Sequence, residues 1–396
     1  MPVARRYAIL LRTPAVPSRL AATFLSATVL GMLSLTLVLC MRQWTGSTAL
    51  AGVASGLFSL GNAIGLVVQG RLLDRYPDHR VVIGAGSTCG ATLLGLVAAG
   101  VARWPVGWVL LLCLLAGVSV PAVTAAVRAW LPTVLASTDL RGAAYALLAV
   151  VFQTALAAGP IIVSLCVIVT GPELALGTAA LLILLVVRVH TVGSPGAAGS
   201  CAKPGGGRAR PWARGLEYVL AVAAISGAGF GIVLVTLPSI EADHRQPGLS
   251  GLLLGAVALG ELAGALSYGA RRWPGSRRHQ LATALATAAA AYGLAATLID
   301  LTPALVAGLF LSGMAGGPVA VVLSALIDDV TGPGAVAGSY TLLVGAGLVA
   351  VAAGSAATGL VADRLPPALL LTVPGVLALV AAGFVLRRGA FASRGE

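Results

Sequence analysis

The sequence predicts an all-α polytopic membrane protein of twelve spans, arranged as two six-span pseudo-symmetric halves. Three observations predict it. The first is composition: hydrophobic residues make up 58% of the 396 and charged residues only 10%, with a mean hydropathy of +0.98. A soluble domain carries about 25% charged residues, and apolar runs of about eighteen or more residues cross a bilayer. The second is the placement of the basic residues. Of 25 Lys+Arg, only Arg42, Arg103, Arg245 and Arg364 fall on one side of the predicted spans. Cytoplasmic loops carry the excess of Lys and Arg, so both termini are expected in the cytoplasm and the spans to be even in number. The third is an internal repeat. Gly52, Gly56, Gly61, Gly65 and Gly70 are spaced 4, 5, 4, 5, and the spacing returns 199 residues later at Gly251, Gly255, Gly260, Gly264 and Gly269, with no other glycine in either window.

The N-terminal residues 1–18 are basic and hold three prolines. The run 20–40 is too long for a signal-peptide core and reads as span 1. Spans 2 to 6 follow at 48–70, 81–101, 106–130, 143–168 and 173–189. Residues 190–215 are rich in Gly, Pro, Ser and Arg and read as a flexible cytoplasmic linker between halves 1–189 and 216–396. Spans 7 to 12 are expected at 216–239, 249–270, 281–299, 303–326, 335–361 and 366–386.

The repeat reaches beyond the glycines. Tyr145, Leu147, Leu148, Ala157, Ala158 and Gly159 return 195 residues later as Tyr340, Leu342, Leu343, Ala352, Ala353 and Gly354, and Pro121 answers Pro318. Six spans per copy give both copies the same orientation. Such an architecture puts a site at the midplane between halves and works by rocking one against the other. The glycines let neighbouring helices approach closely. On a helical wheel Gly52, Gly56 and Gly70 share one face and Gly61 and Gly65 lie opposite.

The net charge of +12 is explained by topology, so no nucleic-acid partner is implied. The partners expected are lipid bilayer, a small-molecule substrate and protons, acting on a monomer. The tryptophans at 44, 104, 108, 130, 212 and 273 sit near predicted span ends, as an aromatic belt requires. Five scattered cysteines (40, 89, 113, 166, 201) show no metal or redox spacing, and His79, His190, His244 and His279 fall at boundaries or in loops. No cofactor, metal or catalytic constellation is expected: an enzyme needs a nucleophile–base pair or ligands, and a sensor an extra soluble domain.

One ionisable residue lies deep in a span. Glu261 is nine residues from the inner end of span 8, roughly 13 Å at 1.5 Å per residue. Its repeat counterpart is the neutral Asn62. A charge at that depth is costly and reads as functional, here as a proton carrier; the alternative is a protonated Glu bonded to a neighbouring helix.

The segment Gly70-Arg71-Leu72-Leu73-Asp74-Arg75-Tyr76-Pro77-Asp78-His79-Arg80 resembles the loop 2–3 signature of the major facilitator superfamily, with Pro77 in place of the usual Gly and His79 where a base is common. The second copy, Gly269-Ala270-Arg271-Arg272-Trp273-Pro274-Gly275, lacks the Asp. The resemblance implies that Gly70, Asp74, Arg75 and Arg80 form a gating motif. It implies that Asp74 stabilises the outward-facing state near the N-terminus of span 11 and through a nearby Arg. Arg128 is the expected latch partner, its alternative being a snorkelling interfacial cation. Ala158-Gly159-Pro160 resembles the Gly-Pro of the antiporter motif, although the flanking glycines are here Ala146, Ala155, Val163 and Ser164. Val127–Pro132, Arg141–Leu147 and Tyr268–Gly275 are similar to a group of actinobacterial facilitators, mostly exporters. That group carries acidic residues near the positions of Leu148 and Thr154.

The family's cavity is lined by spans 1, 4, 7 and 10. Here these offer Thr23, Ser26, Ser119 and Ser226 with a few other hydroxyls, and Gln153, Thr154 and Tyr340 add from spans 5 and 11; each can equally be packing glue. A weakly polar cavity suits a hydrophobic or amphipathic compound. The implied function is proton-coupled export by alternating access, with an importer or facilitator of the same fold as the alternative.

Overall fold

The computed structural model describes residues 10–13, 15–135, 137–192, 215–271, 273–331 and 336–387. Most of the expected linker, with Cys201 and Trp212, and the basic tail beyond 387 lie outside these residues. The described chain is helical throughout, with no strand. Its helices are α1 (Val16–Thr45), α2 (Thr48–Leu73), α3 (Asp78–Val101), α4 (Val106–Ser119), α5 (Val123–Val134), α6 (Thr138–Val169) and α7 (Pro172–Val192) in the first half. The second half holds α8 (Leu216–His244), α9 (Leu249–Ala270), α10 (Arg277–Thr297), α11 (Thr302–Val330), α12 (Val336–Val361) and α13 (Pro367–Arg387).

Counting α4 and α5 as one crossing, there are twelve. Eleven are long and apolar enough to span a membrane. The twelfth, α10, is rich in alanine and threonine and less hydrophobic. Its small side chains let α11 and α13 close in: a Cβ on Gly308 would press on Ala295, and one on Gly375 on Ala289.

Span 4 departs from expectation. It breaks at Val120–Ala122 into α4 and α5, whereas its counterpart Pro318 stays inside α11. Proline removes one donor and clashes with the preceding turn, which frees carbonyls that lipid cannot satisfy. Gln69 of α2 satisfies them: its Nε2 donates to Val118 O (3.1 Å) and Val120 O (2.8 Å), and its Oε1 accepts from Ala122 N (2.8 Å). Ser26 of α1 donates to Pro121 O at 3.2 Å.

Within each half the same crossings recur. α2 packs on α4 as α9 packs on α11, and α1 on α6 as α8 on α12. The glycine spacing explains itself here. A step of four residues turns a helix by about 40° and a step of five by about 140°, so each set presents two pairs on opposite faces. Gly52 and Gly56 meet Ser355 and Ala352 of α12, while Gly61 and Gly65 meet Leu114 and Val118 at α4 and its end. Gly251 and Gly255 meet Pro160 and Ile161 of α6, while Gly260 and Gly264 meet Phe310 and Met314 of α11. At each of the eight an added Cβ would fall under 3.0 Å from the neighbour, mostly from its backbone. Gly70 and Gly269 touch nothing within 4 Å.

The core is shared at one end and divided at the other. Away from the basic face, one apolar cluster joins all twelve crossings, among them Met32 and Leu37 of α1, Phe58 of α2, Val163 of α6, Leu237 of α8, Leu253 of α9 and Val351 of α12. Toward the basic face it splits. Leu10, Val82, Val127, Leu131 and Leu148 form a cluster within the first half, and Val219, Leu281, Val322, Leu343 and Val385 form another within the second. The glycine approaches between the halves all lie at the shared end, and Gly142, Gly338 and Gly345 near the basic face have no neighbour within 4 Å. The bundle is closed opposite the basic face, and its halves part toward it.

Candidate functional site

Glu261 sits on α9 one turn below Val257, the last α9 residue of the shared core. Leu252, Leu259 and Leu266 are exposed and mark the outward stripe of α9. Glu261 follows Leu259 by two residues, about 200° round the helix, and so points inward. On α11, Gly316 stands in the same relation to the exposed Met314. A Cβ added to Gly316 would lie 3.7 Å from Glu261 Cγ and Oε1, so the carboxyl rests on the bare backbone there. Glu261 is half-buried and makes no hydrogen bond or ion pair with the described residues. Tyr292 of α10 lies within electrostatic reach. An ionisable group without a counter-charge among the described residues, turned into the second half just below the shared core, can take up and release a proton.

The hydroxyls expected in the cavity divide into two sets. Thr23 donates to Arg19 O at 2.9 Å, Ser119 to Leu115 O at 2.6 Å, and Ser26 to the break at Pro121. All three are buried; Thr23 and Ser119 take the carbonyl one turn back in their own helix, as a helical hydroxyl readily does. Gln153, Thr154, Ser226 and Tyr340 form no hydrogen bond with the described residues; Gln153 is half-buried and the others are exposed. Gln153 precedes Pro160 by seven residues and Ser164 by eleven, which puts it on the face that meets α9. Thr154 shares its face with the exposed Ile161 and Leu165.

The antiporter-like element serves two contacts. A Cβ on Gly159 would come within 3.0 Å of Gly31, Met32 and Thr28 of α1, while Pro160 O faces Gly251 of the other half. Four residues on, Ser164 Oγ donates to Gly248 O at 2.6 Å, a buried hydrogen bond between the halves. Glu241 of α8 supports it: its carboxylate accepts from Gly248 N (3.1 Å), Ser250 N (2.8 Å) and Ser250 Oγ. Sequence reasoning missed this clasp. Its signal was a Glu at a helix end followed by Gly and Ser opening the next, a capping arrangement across a turn.

At the basic face Asp74 closes α2, its N–H bonded to Gly70 O at 3.2 Å. Asp74, Arg80 and Arg128 are exposed, and neither Asp74 nor Arg128 forms an ion pair with the described residues. Arg128 O receives Tyr145 Oη at 3.4 Å. Trp130, in the last turns of α5, lies over Arg19 with its ring centroid 4.1 Å from the guanidinium carbon.

Comparison with known proteins bears on this geometry. The enterobactin exporter EntS of Shigella boydii serotype 4 is 36% identical over 88 residues, 22% of this chain and 21% of that protein. The EntS of Salmonella typhimurium gives the same figures. The chain thus matches about a fifth of the length of these curated relatives. Among solved structures, the human organic anion transporter MFSD10 superposes with a TM-score of 0.68 at 17% identity, covering 97% of this chain and 100% of that one. The inward-open xylose transporter XylE from E. coli gives 0.71 at 12% identity, covering 96% of each. At these identities the likeness is one of fold. The family model described as Major Facilitator Superfamily matches residues 20–222, just over half of the sequence. A fold of twelve crossings in two repeated halves, a family match over half its length and full-length structural likeness to transporters together place this chain in the Major Facilitator Superfamily, as a multi-pass membrane transporter and not an enzyme.

Proposed function

We propose that the protein exports a small hydrophobic or amphipathic molecule across the plasma membrane in exchange for protons, with Glu261 as the proton carrier. The observation that carries this reading is the placement of Glu261: inward-facing, at mid-depth, without a partner among the described residues, and resting on the bare backbone of Gly316 just below the shared core. Gln153, Ser226 and Tyr340, with no hydrogen-bond partner among the described residues, are the groups offered to a substrate's polar edge, and Thr154 stands beside them. The EntS match favours export, as does the resemblance to actinobacterial exporters. With the basic face in the cytoplasm, the present conformation is inward-facing. Asp74 and Arg128 then form their latch only when the halves close on that side, with Gly70, Arg75 and Arg80 shaping the loop. The chain works as a monomer, since each copy holds both halves of the path.

The test is transport in proteoliposomes and protection of an efflux-deficient host against a panel of antibiotics and lipophilic dyes. Wild type is expected to protect and to respond to a pH gradient, and Glu261→Gln to lose both at equal membrane levels. Full pH-driven transport by Glu261→Gln removes the carboxyl from the mechanism. Protection by neither protein redirects the search to a narrow endogenous substrate or to import.

A further inference from the structure

The basic end of the first half holds a buried charged cluster that the transport path does not use. Arg19, at the start of α1, is 3% exposed, and its Nη1 donates to Asp78 Oδ2 at 2.5 Å under the ring of Trp130. Asp78 opens α3 and belongs to the Gly70–Arg80 signature. The pair therefore fastens the far end of that loop to α1. His190, near the end of α7, is 2% exposed, and neither of its ring nitrogens nor Arg19 Nε has a hydrogen-bond partner among the described residues. The charged and titratable groups that act on it are Arg19 from α1 and Asp78 and His79 from α3; α6, also packed on α7, adds none. Its own helix carries Arg188.

A neutral imidazole sits here beside a matched pair. A protonated one brings a second cation next to Arg19 and a second N–H donor, in a site where charges are poorly screened. Among the described residues Asp78 is the one carboxylate acting on it, and both its oxygens are already engaged, Oδ2 by Arg19 Nη1 and Oδ1 by the backbone N–H of His79 at 2.8 Å. Histidine changes charge between about pH 5 and pH 8.

We infer that His190 is a proton-operated release for the signature loop. Proton uptake from the basic face draws Asp78 from Arg19, frees the start of α3 and unfastens the loop that carries Asp74. The loop is thereby held in a neutral compartment and loosened in an acidic one, independently of Glu261 and of any substrate.

The experiment places a nitroxide label at Tyr76→Cys, an exposed loop position, in a Cys201→Ser background, since the other four cysteines are buried. Label mobility in nanodiscs is followed from about pH 8 to about pH 5, the histidine range. In the otherwise unaltered protein mobility rises sigmoidally as pH falls. In His190→Asn the rise is lost, and in Asp78→Asn the label is mobile throughout. An unchanged pH response in His190→Asn, or none with His190 present, overturns the inference. Should His190→Asn fail to fold, NMR titration of the His190 imidazole alongside the label decides: a ring that does not titrate in step with mobility overturns it equally.

Discussion

The two halves carry the same proline and treat it differently. Pro121 breaks span 4, while Pro318 stays within α11. The difference lies one helix away. Position 69 of α2 is a glutamine that bonds both sides of the break, and its repeat counterpart on α9 is Tyr268, whose hydroxyl turns to Gln280. The first half spends its polar residues on holding an irregular backbone. The second keeps its backbone regular and leaves Glu261 unpaired where the first half has Asn62. The ion pairs differ in the same sense: Arg19–Asp78 is buried, whereas Arg277–Asp329, with Arg277 standing where the repeat has Asp78, is about half exposed. In this repeat the first half is the more tightly wired and the second bears the ionisable group.

Four tests sharpen or break that comparison. The largest effect falls where the halves agree. Gly117→Leu and Gly313→Leu each drive a side chain into the backbone of the facing helix, at Phe58–Asn62 and at Val257. Both are expected to eliminate monodisperse protein on size exclusion, beyond the ~1–3 kcal/mol of ordinary overpacking. Survival of one would show that the two crossings are not equivalent. Next, Asp78→Asn is expected to cost about 3–5 kcal/mol, because it strands a buried guanidinium, while Asp329→Asn costs about 0–1 kcal/mol, as exposed pairs do. Equal losses in thermal melts would end the contrast between wired and open halves. Third, Gln69→Leu leaves buried backbone groups unpartnered at about 1–3 kcal/mol for such a group. Tyr268→Phe removes one bond at about 0.5–1.5 kcal/mol. Faster hydrogen exchange at Ala122 in the first variant, and none at Gly316–Val319 in the second, is the accompanying signature. Smallest, Ser164→Ala deletes the clasp to Gly248, worth about 1 kcal/mol. Spin-label distances across the far face should show a larger open population, and an unchanged distribution would leave the clasp without a role in closure.

Much of the fold was legible because membrane spans end where charges begin. Span 2 stops at Arg71 and Asp74, and its helix ends at Leu73; span 8 was bounded at 249–270, and α9 has those limits. The glycine spacing announced two contact faces per helix, and both are occupied. The break was not legible, since Pro121 and Pro318 look alike in sequence and only the residue facing each decides its fate. Arg19 read as one more cytoplasmic cation, and nothing local signalled that Trp130 would cover it. Glu261 was visible as a lone charge in an apolar run, whereas its neighbour Gly316 is one glycine among 51. Thr23 and Ser119 looked like cavity hydroxyls and are bonded to their own helices, a local choice that composition cannot foretell.

The shared core at the far end also bears on how the protein is made. A ribosome delivers the first half before the second exists, so the surface of α2 that will meet α12 must wait in lipid. That surface is Gly52 and Gly56 with Thr48, Ser55 and Ser59 on the same side, a strip of small residues that acyl chains can cover while the hydroxyls turn to carbonyls of their own helix. The newborn half can therefore rest in the bilayer until its sibling arrives and displaces the lipid. The Gln69 brace, internal to that half, is already in place to keep the broken span from unravelling during the delay.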